Sequence, residues 1–168
     1  MIYLTKKYQN GGTVSNIFDK IEKERGGLAA IHSEFSEFED GVDGHYYLYK
    51  KIMLNENLPL PREEREYIAY KVSLSNECPY CISHHKKALD NNFLEIPLDL
   101  REFYDEFAQV ICTGPWKTCL LKKRYLDLKG KDACWQHLVM VASYYNMANR
   151  IAFAMELELE STYEDTCK

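Results

Sequence analysis

Apolar positions along this chain recur mainly every three to four residues, the spacing of one face of an α-helix. From about Asp132 to about Glu158, Trp135, Leu138, Val139, Ala142, Tyr145, Ala152 and Phe153 fall on one stripe, with Asp132 placed to cap its start. Leu100, Phe103, Phe107, Val110 and Ile111 mark a second helix. Thr113-Gly114-Pro115 ends it, supplying a residue that tolerates the left-handed region and then a proline. Trp116 to Leu128 predicts a further helix. Pro61 followed by Arg-Glu-Glu-Arg-Glu starts another, with acids in its first turn, that runs to about Ser75. Asn76-Glu77 interrupts this pattern, and Pro79 then sits at the first position of a helix that has Cys78 as its N-cap and reaches about Leu89. Asp90-Asn91-Asn92 breaks it. Near the start, Val14 to Glu24 reads as a shorter helix closed by Gly26-Gly27, with Gly11-Gly12, Gly41 and Gly44 marking loops. The expected fold is all-α, with four or more helices and no internal repeat.

Composition narrows this picture. The chain has 168 residues, 46% of them apolar, with only 8 Gly and 5 Pro, which predicts one compact domain over residues 1–168. At this size a core forms without disulfide or metal staples, so cysteine is free for chemistry. Lys plus Arg is 21 against 26 Asp plus Glu, a net charge of -5, so the broad positive field that attracts nucleic acid is missing. The longest apolar runs, Leu138 to Ala142 and Ile151 to Met155, are too short to span a bilayer, and the start shows no apolar leader. The expectation is a cytoplasmic protein with no membrane or nucleic-acid partner. Lys117, Lys122, Lys123, Arg124, Lys129 and Lys131 read as a solvated helix face, and the acidic tail from Glu156 to Asp165 reads the same way.

Of the 6 cysteines, Cys112, Cys119, Cys134 and Cys167 are scattered, whereas Cys78 and Cys81 form a C-x-x-C. On a helix turning about 100° per residue, His85 falls between the two sulfurs and His84 points further away. Residues three apart are close enough to close a bridge with modest adjustment. Unpaired N–H groups and the dipole of the first helical turn favour a thiolate, and a histidine at i+4 can take or return its proton. Glu77 works weakly against this. A structural zinc site is the competing use of the same residues: Cys78, Cys81 and one of the adjacent histidines give three ligands, with a fourth required from a lone Cys or His. A buried inert pair is the other. Disulfide redox chemistry is the preferred reading.

The run Glu66-x11-Cys78-x2-Cys81-x3-His85 resembles the signature of the alkylhydroperoxidase D (AhpD-like) and carboxymuconolactone decarboxylase superfamily, especially its peroxidase-related branch. Ser75-Asn76-Glu77-Cys78-Pro79-Tyr80-Cys81-Ile82-Ser83-His84-His85 resembles that branch nearly residue by residue, and Tyr144-Tyr145-Asn146-Met147-Ala148-Asn149-Arg150 resembles its C-terminal helix. The likeness spans about Gly44 to Glu160, taken as the core of the domain (about 44–160) with an N-terminal extension over about 1–43. It implies an AhpD-like helical bundle, homo-oligomers, and reduction of hydroperoxides by the cysteine pair; no cofactor is expected. By the same resemblance Cys81 is the peroxidatic sulfur, Cys78 the resolving partner, and His85 with Glu66 the proton relay. The best-known members carry a histidine immediately before the second cysteine, where this chain has Tyr80.

Glu66 shares its helix with Glu63 and Glu64, which are expected on the solvated side. Ala69 and Ser73 follow Glu66 at i+3 and i+7, a small-residue strip that favours close approach of a second helix and an inward Glu66. Asn146, Asn149 and Arg150 divide between a surface reading and helix-to-helix or subunit contacts. The functional expectation is a thiol-dependent peroxidase or disulfide oxidoreductase with an antioxidant role, whose disulfide is reduced by an unidentified dithiol or disulfide-reductase partner. The alternatives are decarboxylase-like chemistry on a lactone and a zinc-stabilised, non-enzymatic helical interaction protein.

Overall fold

The computed structural model describes residues 14–91 and 95–167, and among them every regular element is helical. The elements are α1 (Val14–Arg25), α2 (Ala30–Ser33) and α3 (Glu39–Tyr49), which runs on into a π-helical turn, Lys50–Leu54. Then come α4 (Arg62–Ser75), α5 (Pro79–Asn91), α6 (Leu98–Thr113), a 3₁₀ segment (Pro115–Leu121), α7 (Lys122–Lys129) and α8 (Asp132–Ala154), with a last 3₁₀ turn at Tyr163–Thr166. None of these helices is long and apolar enough to cross a membrane.

Helix α4 lies at the centre, packed against α5, α6 and α8. Ala69 and Ser73 on its inner face are fully buried, so neighbouring backbones approach closely along the small-residue strip. Phe103, Phe107, Tyr125, Leu138, Val141 and Ala142 fill the core between α4, α6, α7 and α8. One fully buried polar residue bridges two of these helices. The Asn149 amide on α8 donates to the Ser73 hydroxyl at 3.1 Å and its carbonyl accepts from Asn76 at 2.9 Å, while Asn146 accepts from the same Asn76 amide at 3.1 Å. Asn146 and Asn149 are therefore helix-to-helix contacts, whereas Arg150 is exposed and, among the described residues, bonds along its own helix to Asn146.

Several expectations need correction. Gly41 and Gly44 lie inside α3, not in loops; at Gly41 a Cβ would fall 2.4 Å from the Phe38 ring, so the residue serves close approach. Gly11-Gly12 and Asn92 lie outside the described residues. The helix expected over Trp116–Leu128 is a 3₁₀ segment followed by α7, because Pro115 at its start favours a tight turn. Gly114 has φ -154°, extended and not left-handed. Helix α8 stops at Ala154, short of Glu158, and Phe153 is 51% exposed, off the buried stripe.

The turn between α4 and α5 fixes the site. The Cys78 N–H donates to Ser73 O at 3.0 Å and the Glu77 N–H to Leu74 O at 3.0 Å, a Schellman motif with Glu77 in the left-handed region at φ 55°. Helix α8 ends in the same way: Leu157 N–H to Ala152 O, Glu156 N–H to Phe153 O, and Glu156 at φ 49°. An L-residue in this conformation costs about 1–2 kcal/mol, part of which glycine recovers. Glu77→Gly is expected to raise stability by up to about 1 kcal/mol, read as a higher urea midpoint with unchanged slope.

Candidate functional site

Cys78 occupies the last position of the α4 turn and the first of α5, its carbonyl accepting from Ile82 N at 3.0 Å as an N-cap does. Both cysteines of the pair are buried free thiols. The Cys78 and Cys81 thiols interact with each other, the backbone N–H groups of Tyr80 and Cys81 favour the Cys78 anion, and the Asn149 amide favours the anion at both sulfurs. These bonds outweigh burial and bring Cys78 down to about 7. Cys81 is pushed up by its coupling to Cys78 and by burial. The coupling thus favours ionisation at Cys78 over Cys81.

The two cysteines line different spaces. Cys81 lines a cavity of about 50 Å³ together with His32, Tyr49, His84, His85 and Tyr145. Cys78 lines a separate one with Pro79, Ser83, Phe153 and Leu157, under the chain that follows α8. His85 therefore shares a wall with Cys81, in keeping with its place on the turn after it.

Glu66 is 1% exposed and points from α4 to α5, where its Oε2 lies 2.7 Å from His85 Nδ1. Arg62, one turn earlier, donates from Nε to Glu66 Oε1 at 2.6 Å. Burial works to raise the Glu66 carboxyl, but the bonds to His85 and Arg62 outweigh it and hold the group at about 2. Burial dominates at His85 and lowers its pKa despite the carboxylate. The result is a neutral imidazole held by an ionised carboxylate, with the ring packed edge-on against Tyr145, centroids 4.3 Å apart.

The structure therefore brings Glu66, His85, Cys81 and Cys78 together. Glu64, expected on the solvated side, is instead 5% exposed. It accepts from Tyr104 Oη at 2.7 Å and from Lys129 Nζ at 2.6 Å, because α6 and α7 cover the flank of α4 opposite α5. Lys129 accordingly leaves the solvated basic face. Glu63 is half-buried.

Three features escaped the sequence reading. His84, expected to point further from the sulfurs, meets the C-terminal segment: its Nε2 lies 3.1 Å from Glu160 Oε2, and its Nδ1 lies 3.5 Å from Cys167 Sγ. Glu160, one acid in a tail of many, also accepts from Tyr80 Oη at 2.9 Å and from the Ala30 N–H. Its carboxyl is lowered to about 2, since the bonds to His84 and Ala30 outweigh burial. His32 enters from α2 and was not singled out. Nothing local in the sequence marks these residues; only the return of the C-terminal segment over α5 joins them. Among the described residues no group of three Cys, His, Asp or Glu side chains is placed to hold a metal ion.

The carboxymuconolactone decarboxylase family model matches residues 47–95, from the end of α3 through α5, the stretch that carries the cysteines, Glu66 and His85. The fold is similar to that of the AhpD core of an uncharacterized peroxidase-related protein from Ralstonia eutropha JMP134. There the TM-score is 0.74 at 16% identity over 92% of this chain and 88% of that one. An uncharacterized peroxidase-related protein from Silicibacter sp. TM1040 gives a TM-score of 0.73 at 20% identity, over 90% and 86% of the two chains. In sequence, a Sestrin homolog of Drosophila melanogaster is 24% identical over 129 residues, 67% of this chain. The chain spans about a quarter of that relative's length, 25%. The likeness to the AhpD-like carboxymuconolactone decarboxylase superfamily thus holds in the family match and in the all-α fold.

The buried imidazoles make stability depend on pH. Burial lowers His32, His45 (to about 4), His85 and His137 from the ordinary 6.5. The unfolded chain then binds more protons than the folded one, so stability is full above about pH 6.5 and is lost as pH falls toward the folded values. Each group contributes a slope of up to about 1.4 kcal/mol per pH unit. Glu66 and Glu160 act in the same direction further down, from about 4.5 to about 2. Urea midpoints are expected to fall between pH 7 and 5, and less steeply in His45→Gln; a flat profile would show that these rings are solvated.

Proposed function

We propose that this chain is a thiol-dependent peroxidase, with the Cys78–Cys81 pair as its redox centre and Glu66–His85 as its proton relay. The observation that carries the reading is the carboxylate-held His85 in one cavity with Cys81, while Cys78, its pKa lowered, is coupled to that thiol. Cys81 sulfur attacks the distal oxygen of a hydroperoxide and the O–O bond breaks. The Cys81 proton passes through His85 to the departing oxygen, giving an alcohol or water and a sulfenic acid. Cys78 then attacks Cys81 Sγ, expels hydroxide, which takes up a proton to leave as water, and closes the disulfide. An external dithiol reduces it by thiol–disulfide exchange. A pair poised in this way supports peroxidase over decarboxylase chemistry, which transfers no electrons.

The test is thiol titration before and after one equivalent of hydrogen peroxide, with loss of both Cys78 and Cys81 expected. Cys81→Ser should abolish peroxide consumption and Cys78→Ser should leave a sulfenic acid that dimedone traps on Cys81. Dimedone labelling of Cys78 in Cys81→Ser would reverse the roles, and unchanged thiols would end the reading.

Removing the relay charge separates the acids of α4. Glu66→Gln is expected to cut peroxidase turnover by about 10- to 100-fold while the fold persists. Glu63→Gln should leave the rate near wild type. Glu64→Gln should lower stability by about 1–2 kcal/mol through the weakened Lys129 contact, again with little effect on rate. Comparable rates in the Glu66 and Glu63 variants would remove the carboxylate from the mechanism.

A further inference from the structure

Buried polar atoms normally have partners, and those that do not mark strain or the place of a ligand. Among the described residues, both ring nitrogens of His32 and the Tyr145 hydroxyl are buried with no hydrogen-bond partner. Both residues line the one cavity that Cys81 and His85 also line. They arrive from elements far apart in the chain, α2 and α8, so the coincidence is one of tertiary structure. His32 is 2% exposed and fixed edge-on against the rings of His45 at 5.4 Å and Tyr46 at 5.5 Å, which orients the imidazole without using its nitrogens. Tyr145 is likewise fixed by ring contacts, to His85 at 4.3 Å and Tyr144 at 5.1 Å. Rings held by their edges and faces, with their polar atoms unspent, are preorganised for a small polar guest.

We propose that His32 and Tyr145 bind the hydroperoxyl group and select for small hydroperoxides, hydrogen peroxide above all. The proposal rests on the reading of Cys81 as the attacking sulfur. A neutral imidazole offers one donor and one acceptor, matching the O–H and the lone pairs of a peroxide, and the tyrosine adds a further donor for the oxygen that becomes the leaving group. A cavity of about 50 Å³ takes three or four water-sized atoms, which accommodates hydrogen peroxide or a one- or two-carbon alkyl hydroperoxide more fully than an aromatic one. The chemistry is that of the proposed reaction: sulfur gives two electrons to the O–O bond, and the proton that balances the departing oxygen comes from Cys81 through His85. His32 and Tyr145 return to their starting protonation.

The experiment measures the second-order rate of thiol loss in the full chain with hydrogen peroxide, ethyl hydroperoxide and cumene hydroperoxide. Wild type should react with the first two and at least about 100-fold more slowly with the third. Tyr145→Phe removes one oxygen and is expected to slow hydrogen peroxide about tenfold, the effect of losing one hydrogen bond of ordinary net worth. His32→Leu should do the same or more, and His32→Gln, which keeps a donor and an acceptor, should recover part of the loss. Reduction of the preformed disulfide by dithiothreitol serves as the second readout, and it should be unchanged in all three variants, whereas a general loosening of the site would alter it. Wild-type rates in Tyr145→Phe and His32→Leu, in a protein whose wild type does consume peroxide, would overturn this proposal alone. A wild type inert to all three peroxides would overturn the peroxidase reading and this proposal with it. Equal rates with cumene hydroperoxide and hydrogen peroxide would overturn the selectivity.

Discussion

The site depends on a chain reversal made without a loop. Helix α4 ends and α5 begins within Asn76, Glu77 and Cys78, and the Cys78 N–H that closes the Schellman motif belongs to the residue whose sulfur begins the C-x-x-C. Because one residue is both the end of one motif and the cap of the next helix, the geometry of the cysteine pair is tied to the axis of α4 with no intervening degree of freedom. Folding α5 back on α4 is what lets Glu66 meet His85, which no local spacing on a single helix would allow. Asn149 ties the same corner to α8, by bonding Asn76 and Ser73 and by reaching both sulfurs. Glu77 accepts a left-handed backbone to make this possible, a local cost that persists where the surrounding structure fixes it from several sides.

Around that corner, α4 places charge where a central helix would normally carry apolar side chains. Glu64, Arg65 and Glu66 are all buried, and each addresses a different neighbour: Tyr104 and Lys129, the Met53 carbonyl of the π-helical turn, and His85 with Arg62. A buried ion is tolerated only with partners of good geometry. Consecutive residues point about 100° apart, so one short run can serve three elements at once. Dispersed in this way, the charges orient the packing of the bundle as well as holding His85.

Helix placement was legible where one face faces a continuous core, as along Leu100, Phe103 and Phe107, and where chain punctuation is strong, as at Pro61 and Cys78-Pro79. The placing of Cys78, Cys81 and His85 at one end of α5 was legible because their spacing on one helix is itself the geometry. Glu66 was recoverable from the Ala69 and Ser73 strip, since small residues report a close neighbour. Glu64 was not: its partners lie 40 and 65 residues away, and a run of charges carries no sign of which members are covered. His32 and Glu160 failed to show for the same reason, being defined by what the N-terminal and C-terminal segments meet on the surface of α5. Gly41 misled because a glycine required for contact with Phe38 has the same letter as one required for a turn.

Adjacent histidines complete the logic of α5. His85 faces inward to Glu66 on α4, and His84 faces the C-terminal segment, where Glu160 receives both it and Tyr80. Neighbouring positions on one helix are thus pinned from two sides by carboxylates 94 residues apart, an interval that follows from their numbering. A helix held on one side can roll about its axis, and one held on two sides cannot. Rolling α5 by even a fraction of the angle between adjacent residues would carry Cys81 away from the cavity it shares with His85 and toward the separate cavity that Cys78 lines. Tyr80 belongs to this second clamp: its hydroxyl is spent on Glu160 and on the Ile31 N–H, so its contribution is to hold the helix.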